Sequence, residues 1–229
     1  MHSNFDERAF WNMYAYRVVT FLPPLTPNDG LPEEQILRAE QRLGLHLPGV
    51  LRHFYRLVGR RDDINQAFNQ LLLPDDIFVV DGYLVFFREN QCVVVWGVRT
   101  AEMDEEDPAV YESEDEPMRA WSLDHRHLSD FLLSMLYWQA VNGGMSYSAI
   151  ATVDQETLSV VRRHWQPVEL PGTDLGNVRF FCRPGQLLCV CPEDDAFRLQ
   201  VGAKTEQDLV SVREELHIEW GYSSLDDVE

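Results

Sequence analysis

The amino-acid sequence predicts an α+β fold, in which an antiparallel sheet meander is flanked by helices. Apolar residues recur at helical spacing through residues 6–58, whereas three nearly continuous apolar runs within residues 77–96 are separated by short turns, as is typical of strands. Groups of helices are followed by groups of strands. A parallel doubly wound sheet would instead need strict alternation of the two.

The first helix is predicted at the N-terminus. Ser3 is expected to cap it, and the acids at positions 6–7 favour the positive end of the helix dipole. Phe10, Tyr14 and Val18 recur at helical spacing and are expected to form its buried side. The Pro-Pro pair at 23–24 ends this helix.

Two further helices joined by a short turn are predicted next. The second opens after Pro32 with two acids and ends at Gly44, and the third begins at Pro48 and ends at Gly59. The residues expected to face inward are Ile36, Leu37, Ala39 and Leu43 in the second helix, and Leu51, Phe54, Tyr55 and Val58 in the third.

Both the meander and the C-terminal elements follow from the period of apolar residues. Because the apolar runs of the meander are nearly continuous, both of its faces are expected to be covered. A strongly apolar helix with Ser129 as its cap is predicted to follow and to end at 142–144. The remaining predicted elements are strands at 77–80, 83–87 and 92–96, a helix at about 155–164, strands at 178–181, 187–191 and 197–201, and a helix at about 206–216.

Charge and composition exclude several classes of function. The chain of 229 residues has 38 Asp and Glu against 19 Lys and Arg, a formal charge of −19, so nucleic acid is not an expected partner. No apolar run reaches the roughly 18 residues of a membrane span, and acids stand where a signal peptide carries positive charge. Four cysteines are too few for a secreted disulfide framework. The protein is therefore expected in the cytoplasm, with no membrane contact.

No motif in the sequence indicates catalysis. There is no Walker loop and no G-x-G-x-x-G, and the segment Gly144-Met145-Ser146-Tyr147-Ser148 lacks the closing glycine of a nucleophile elbow. His125 with His127, and Cys182 with Cys189 and Cys191, fall short of a complete ligand set, so neither metal nor cofactor is expected. We predict no enzyme activity, and a hydrolase or metalloenzyme is the third alternative for the function.

Residues 102–116 contain nine acids and no Lys or Arg. Self-repulsion predicts an extended, solvated loop. Such a loop is a plain soluble surface or an attractor for a basic partner. A calcium site is a weaker third option, because the segment lacks the regularly spaced D-x-[DN]-x-[DN]-G ligand loop. The candidate partner-binding residues are Asp104, Glu105, Glu106, Tyr111, Glu112, Glu114, Asp115 and Glu116.

A run of residues at 40–48, Glu40-x-x-Leu43-Gly44-Leu45-His46-Leu47-Pro48, is followed by the meander and by Leu128-Ser129-x-Phe131-Leu132. This order resembles the SUKH superfamily, which includes the fungal cell-wall-assembly regulator and many bacterial immunity proteins. We predict a single α+β domain of residues 1–229, in which the resemblance covers a SUKH-like core at about 31–141, with an N-terminal helix at 1–25 and an α/β extension at 145–229. The alternative is that these flanking regions add a small second lobe. The residues that the resemblance marks as scaffold are Gly44, Leu47, Pro48, Gly59, Trp96 and Trp121.

The same resemblance implies a function through binding. Bacterial members of the superfamily typically cap a cognate toxin, often a nuclease, and the superfamily is not characterised by an active site. We therefore expect a non-enzymatic cytosolic immunity protein whose partner is a basic toxin. The alternative is a regulatory or scaffolding module that binds another intracellular protein, and the oligomeric state is not predicted.

Overall fold

The computed structural model of the protein describes residues 5–114, 120–170 and 178–226. Within these ranges the chain forms seven α-helices and two six-stranded antiparallel sheets. The predicted α+β class is confirmed.

Four helices precede the first strand: α1 (Glu7–Phe21), α2 (Glu33–Leu43), α3 (Gly49–Val58) and α4 (Asp62–Asn65). The three predicted helices are confirmed, and α4 is an additional short turn of helix. The cap of α1 is Asp6, whose side chain accepts a hydrogen bond from the Ala9 N–H, while Ser3 lies outside the described residues. In α2 the predicted inward side is wrong at Leu37, which is 41% exposed, because Glu40 takes up the buried position instead.

Glu40 is buried because its carboxylate joins three segments. Oε1 accepts a hydrogen bond from the Leu47 N–H at 2.8 Å, and Oε2 lies 2.6 Å from Nη1 of Arg52. Burial acts to raise the pKa of Glu40, but the hydrogen bonds from Arg52 and Leu47 outweigh it, so the pKa lies below its usual value. Gly44 reverses the chain just after α2 with a left-handed φ of 69°, which brings Leu47 back to Glu40.

The first sheet has the strand order β1-β3-β4-β5-β6, with β2 also paired to β3. The predicted meander β2-β3-β4 is confirmed, although β4 begins two residues late because Cys92 adopts a positive φ of 59° in the turn. Strands β1, β5 and β6 were not predicted. The strands are β1 (Gln70–Leu71), β2 (Phe78–Val80), β3 (Tyr83–Arg88), β4 (Val94–Arg99), β5 (Val110–Glu114) and β6 (Ser122–His125).

Helix α5 (Leu128–Gln139) is almost entirely buried and continues as a π-helical turn through Ala140–Gly144. Its cap position is His127, two residues before the predicted cap Ser129, which lies inside the helix. Phe131 packs against strand residue Phe87 of the first sheet, with ring centroids 5.5 Å apart. At the other end, Tyr137 lies 5.8 Å from Phe180 of the second sheet.

The second sheet has the order β12-β7-β11-β10-β9-β8. The predicted helices are confirmed as α6 and α7, and the three predicted strands are confirmed as β9, β10 and β11. Strands β7, β8 and β12 were not predicted. The elements are β7 (Tyr147–Val153), α6 (Gln155–His164), β8 (Gln166–Pro167), β9 (Arg179–Arg183), β10 (Gln186–Glu193), β11 (Ala196–Ala203), α7 (Glu206–Leu216) and β12 (Tyr222–Ser223).

Each face of the second sheet has a different role. One face packs on α6 and α7 through residues such as Leu199 and Val212. The opposite face adds Phe180, Leu187 and Cys189 to the core of the first sheet and α5. Residues from α1 to β10 therefore share one packed core. None of the described helices is long and apolar enough to cross a membrane.

Replacing Glu40 by Gln is expected to lower the free energy of unfolding by about 2 kcal/mol at pH 7, because the neutral amide loses the buried ion pair with Arg52, which keeps only the more exposed Glu33 as a charge partner. Since the folded pKa is below the unfolded one, this stabilisation is present above the unfolded pKa and is lost as the pH falls through the folded pKa. Urea unfolding from pH 7 down to pH 3 measures the difference. Glu34→Gln, an exposed change on the same helix, is the control. An equal loss in both variants would contradict the role of Glu40.

Candidate functional site

The acidic segment is not the extended solvated loop that its charge predicts. Thr100–Glu102 forms a 3₁₀ turn, and β5 occupies the centre of the segment, where it pairs with both β4 and β6. Met103 and Val110 are buried. Repulsion between solvated acidic side chains is weak in water, so strand pairing and apolar burial determine the structure of residues 102–114.

Asp107 is an internal part of the fold. Only 8% of its side chain is exposed. Oδ1 accepts a hydrogen bond from the Ser129 N–H at 2.8 Å, and Oδ2 accepts one from the Ser129 hydroxyl at 2.6 Å. The carboxylate thus caps α5 from a distant segment, which corrects the prediction that Ser129 itself is the cap.

Four of the candidate acids are exposed: Asp104, Glu105, Glu106 and Glu114. Glu106 also lies at the start of α3, where its backbone carbonyl accepts from the Val50 N–H at 3.1 Å. A Cβ on Gly49 would lie 1.9 Å from Oε1 of Glu106, so the missing side chain leaves space for this carboxylate at the positive end of the helix. Asp115 and Glu116 lie outside the described residues.

Tyr111, a predicted anchor for a partner, is mostly buried in its own sheet, with 8% of its surface exposed. The guanidinium of Arg99 lies 4.2 Å from the centre of the Tyr111 ring. Tyr83 packs edge-on against Tyr111 at 5.4 Å and stacks with Trp121 at 4.2 Å. Leu123 is the strand partner of Tyr111 and is 51% exposed. Together Tyr83, Arg99, Tyr111, Trp121 and Leu123 form what we call the edge patch.

The edge patch lies at one border of the first sheet. Strand β6 pairs with β5, and in the described part of the chain no strand pairs with its outer side. Trp, Tyr and Arg side chains are the residue types that most often carry binding energy at protein interfaces. Sequence reasoning did not find this group, because Tyr83 and Trp121 are 38 positions apart and meet only once the sheet forms.

Glu112 follows Tyr111 on β5, so its side chain lies on the opposite face of the sheet, where it is partly shielded from solvent. Burial raises the pKa of Glu112, and the neighbouring Asp124 carboxylate raises it further. The Ser122 hydroxyl, 3.4 Å from Oε1, acts in the opposite direction. A cationic group from a partner would be favoured next to these two carboxylates.

His125, Asp124 and Ser134 have the atom order of a catalytic triad. His125 Nδ1 lies 2.6 Å from Oδ2 of Asp124, and Nε2 lies 3.1 Å from Oγ of Ser134. Ser134, however, is fully buried within α5, and its hydroxyl donates to the Asp130 carbonyl oxygen at 2.9 Å. A nucleophile must reach a substrate carbonyl, so this chain of side chains serves to tie β6 to α5.

The other candidate ligands do not converge. His127 lies beside Asp107, and both ring nitrogens of His125 already contact Asp124 and Ser134. Cys189 and Cys191 bring their sulfurs to 3.7 Å on one strand face. Across the described ranges, no three His, Cys, Asp or Glu side chains come together as a metal site.

The residues that the resemblance marks as scaffold lie at helix ends and in aromatic packing: Gly44, Leu47, Pro48, Gly59, Trp96 and Trp121. Leu47 is 4% and Trp96 is 8% exposed, and Trp96 packs against Phe131 with ring centroids 5.8 Å apart. Trp121 differs, because it is half-buried in the edge patch and so contributes to the surface.

In comparisons with known proteins, no protein-family model, no curated protein and no solved structure matches this chain.

Asp107→Ala is expected to lower the free energy of unfolding by about 1–2 kcal/mol, because α5 loses a buried cap that makes two hydrogen bonds to Ser129. Asp104→Ala removes the same charge from an exposed position three residues earlier and is expected to change stability by less than about 0.5 kcal/mol. Urea denaturation of both variants measures the difference. Equal effects would show that Asp107 contributes only charge.

Glu112→Gln is expected to raise the melting temperature by about 1–2 °C at pH 7, since it removes a partly solvated repulsion with Asp124. The raised folded pKa means that the folded state binds the proton more tightly than the unfolded chain. Lowering the pH therefore relieves the cost in the wild type, and the two melting curves should converge below about pH 4. Calorimetry at both pH values tests this. A lower melting temperature for the variant at pH 7 would contradict it.

Proposed function

We propose that the chain is a non-enzymatic cytosolic binding protein of immunity type, which neutralises a cognate basic toxin domain through protein–protein binding. The observation that carries the proposal is the position of the exposed acids. Glu114 lies on the strand that carries the edge patch, and Asp104, Glu105 and Glu106 lie in the turn that leads to that strand.

The edge patch supplies apolar contact area, which the acids alone do not provide. Exposed acids accelerate the encounter with a basic partner, but they are solvated and add little to the lifetime of the complex. Leu123 and the half-buried Trp121 offer apolar area that a partner can desolvate. Apolar anchors combined with exposed acids on a neighbouring turn and strand suit binding to a basic partner.

The resemblance to SUKH proteins supports the same reading through residues at 40–48. Glu40, Gly44, Leu47 and Pro48 hold the α2–α3 hairpin together in this chain. These residues give a scaffold, and the acids with the edge patch give the surface that distinguishes one partner from another.

The test is the association rate with the toxin domain encoded by the neighbouring gene. The variant Asp104→Asn, Glu105→Gln, Glu106→Gln and Glu114→Gln is expected to slow association by about ten-fold at low salt and to lose most of its salt dependence. Dissociation should change much less. Surface plasmon resonance over a salt series measures both rates.

The matched control neutralises four exposed acids on the second sheet and its helices: Glu156, Asp195, Glu214 and Glu219. It has the same net charge as the test variant and is expected to associate nearly as fast as the wild type. If both variants slow equally, general charge is responsible and the acidic turn is not the interface. A neighbouring gene product that does not bind would favour a regulatory or scaffolding module instead.

A further inference from the structure

Two thiols lie in contact on strand β10. Cys189 and Cys191 alternate with Val190 along the strand, so both side chains lie on the same face of the second sheet. Their sulfur atoms are 3.7 Å apart, which is close enough for an S–H···S hydrogen bond. Both cysteines are free thiols. A C-x-C pair on a strand thus gives the proximity that a C-x-x-C motif provides in dithiol enzymes.

The two thiols differ in their exposure to solvent. Cys189 is fully buried in the core shared by α5 and the first sheet, whereas Cys191 is partly exposed. In the described part of the chain, β9 pairs with β10 no further than Val190, so Cys191 has a strand neighbour on one side only. That neighbour is Arg198 of β11, directly opposite Cys191. A small oxidant can therefore reach Cys191 from solvent, whereas Cys189 is shielded.

The surroundings of the pair place the thiolate on the outer sulfur. The S–H of Cys189 donates to Cys191 and lowers the pKa of Cys191, although partial burial opposes this change. The positive charge of Arg198 lowers the pKa of Cys191 further, and Glu193, which lies 2.7 Å from Arg198, acts against it. The same hydrogen bond, together with burial, raises the pKa of Cys189, so the proton stays on the inner sulfur. An accessible thiolate with a second thiol behind it is the arrangement of oxidation-sensitive cysteines.

The backbone allows a bond between the two sulfurs. Alternate residues of a strand have Cα atoms about 6.4–6.8 Å apart, at the upper end of the roughly 4.4–6.8 Å found in disulfides. Side-chain rotation has to bring the sulfurs from 3.7 Å to about 2.05 Å. A bond formed at this limit is strained and easily reduced, and so small a loop constrains the unfolded chain little. The pair is therefore suited to reversible oxidation and not to a permanent disulfide.

We propose that Cys189 and Cys191 form a site of reversible oxidation by hydrogen peroxide, in which Cys191 attacks the peroxide and Cys189 resolves the product. The Cys191 sulfur bonds to one peroxide oxygen, the O–O bond breaks, and the other oxygen leaves as water with a proton from solvent. The Cys189 sulfur then attacks the resulting sulfenic acid, the S–O bond breaks, and the hydroxyl group leaves as water with the Cys189 proton. Two thiols are oxidised to one disulfide and one peroxide is reduced to two waters. This site is independent of the toxin-binding proposal.

The test treats the purified full chain with one equivalent of hydrogen peroxide and counts the thiols after unfolding. The count is expected to fall from four to two and to return to four with dithiothreitol. Chymotrypsin cleaves after leucine, so digestion after Leu188 separates Cys182 from the pair. Mass spectrometry should then find the loss of two hydrogens within the peptide that holds Cys189 and Cys191. Cys191 is expected to react about ten-fold faster than the exposed thiol Cys92.

Single variants separate the two roles. Cys189→Ser removes the resolving thiol and is expected to leave a sulfenic acid at Cys191 that dimedone traps. Cys191→Ser leaves the buried thiol alone and should consume peroxide at least about ten-fold more slowly than the wild type. Cys182→Ser is the matched control, because it removes a partly exposed thiol that packs on the same core, and it should still form the disulfide. Melting temperatures show whether each variant is folded, and Cys189→Ala replaces Cys189→Ser if serine is not tolerated in the core.

Any of four results would overturn the proposal. Four free thiols after the peroxide treatment would show that the pair is inert. A disulfide that includes Cys182 would assign the chemistry to a different pair. A Cys92 that reacts as fast as Cys191 would make the reactivity that of an ordinary exposed thiol. Dimedone labelling of Cys189 in Cys191→Ser that equals the labelling of Cys191 in Cys189→Ser would contradict the assigned order of attack.

Discussion

A helix that is apolar on every side has to be covered on every side, and α5 imposes this condition on the whole molecule. All of its residues except Asp130 and Trp138 are buried. The first sheet covers its N-terminal half through Phe131, and the second sheet reaches its C-terminal half through Phe180. At its end, the buried Gln139 side chain accepts hydrogen bonds from the Phe68 and Asn69 N–H groups at 2.6 and 3.0 Å.

Acidic residues near the start of α5 are found in two different environments. Asp107 is fixed at the helix start by a buried, hydrogen-bonded geometry, whereas Asp104 and its neighbours in the preceding turn remain in solvent. Asp104 and Asp107 carry the same charge, so charge alone does not distinguish them. The difference arises from tertiary contacts, because a carboxylate that accepts a hydrogen bond from an orphan N–H group of a helix stabilises the fold, whereas a solvated carboxylate adds little to stability.

The local sequence pattern predicts most of the helices and strands, but it does not predict which side chains meet at the surface. Helix α6 and helix α7 match the predicted bounds, since their caps, apolar spacing and ends are all encoded within a dozen residues. Strand β5 was missed because acids such as Glu112 and Glu114 mask the buried residues Val110, Tyr111 and Ser113.

Contacts between residues that are distant in the sequence could not be predicted, because local patterns do not show which segments meet. Glu40 is buried because Arg52 and Leu47 arrive from the next helix and turn, and no rule of helical spacing places a carboxylate inside. The edge patch combines residues that come from β3, β4, β5 and the segment of β6. Their residue types are visible in the sequence, but their proximity depends on strand order, which the sequence pattern does not specify.

Covering α5 from both sides also sets the order of events during synthesis. The first sheet and α5 leave the ribosome roughly 40 residues before Phe180 and Leu187, so a nascent chain carries the bare side of an apolar helix until the second sheet is made. Exposed apolar surface of this kind favours misassembly until the second sheet covers it. A polypeptide cut before β9 would leave this side of α5 uncovered, so the second sheet is a required part of the fold.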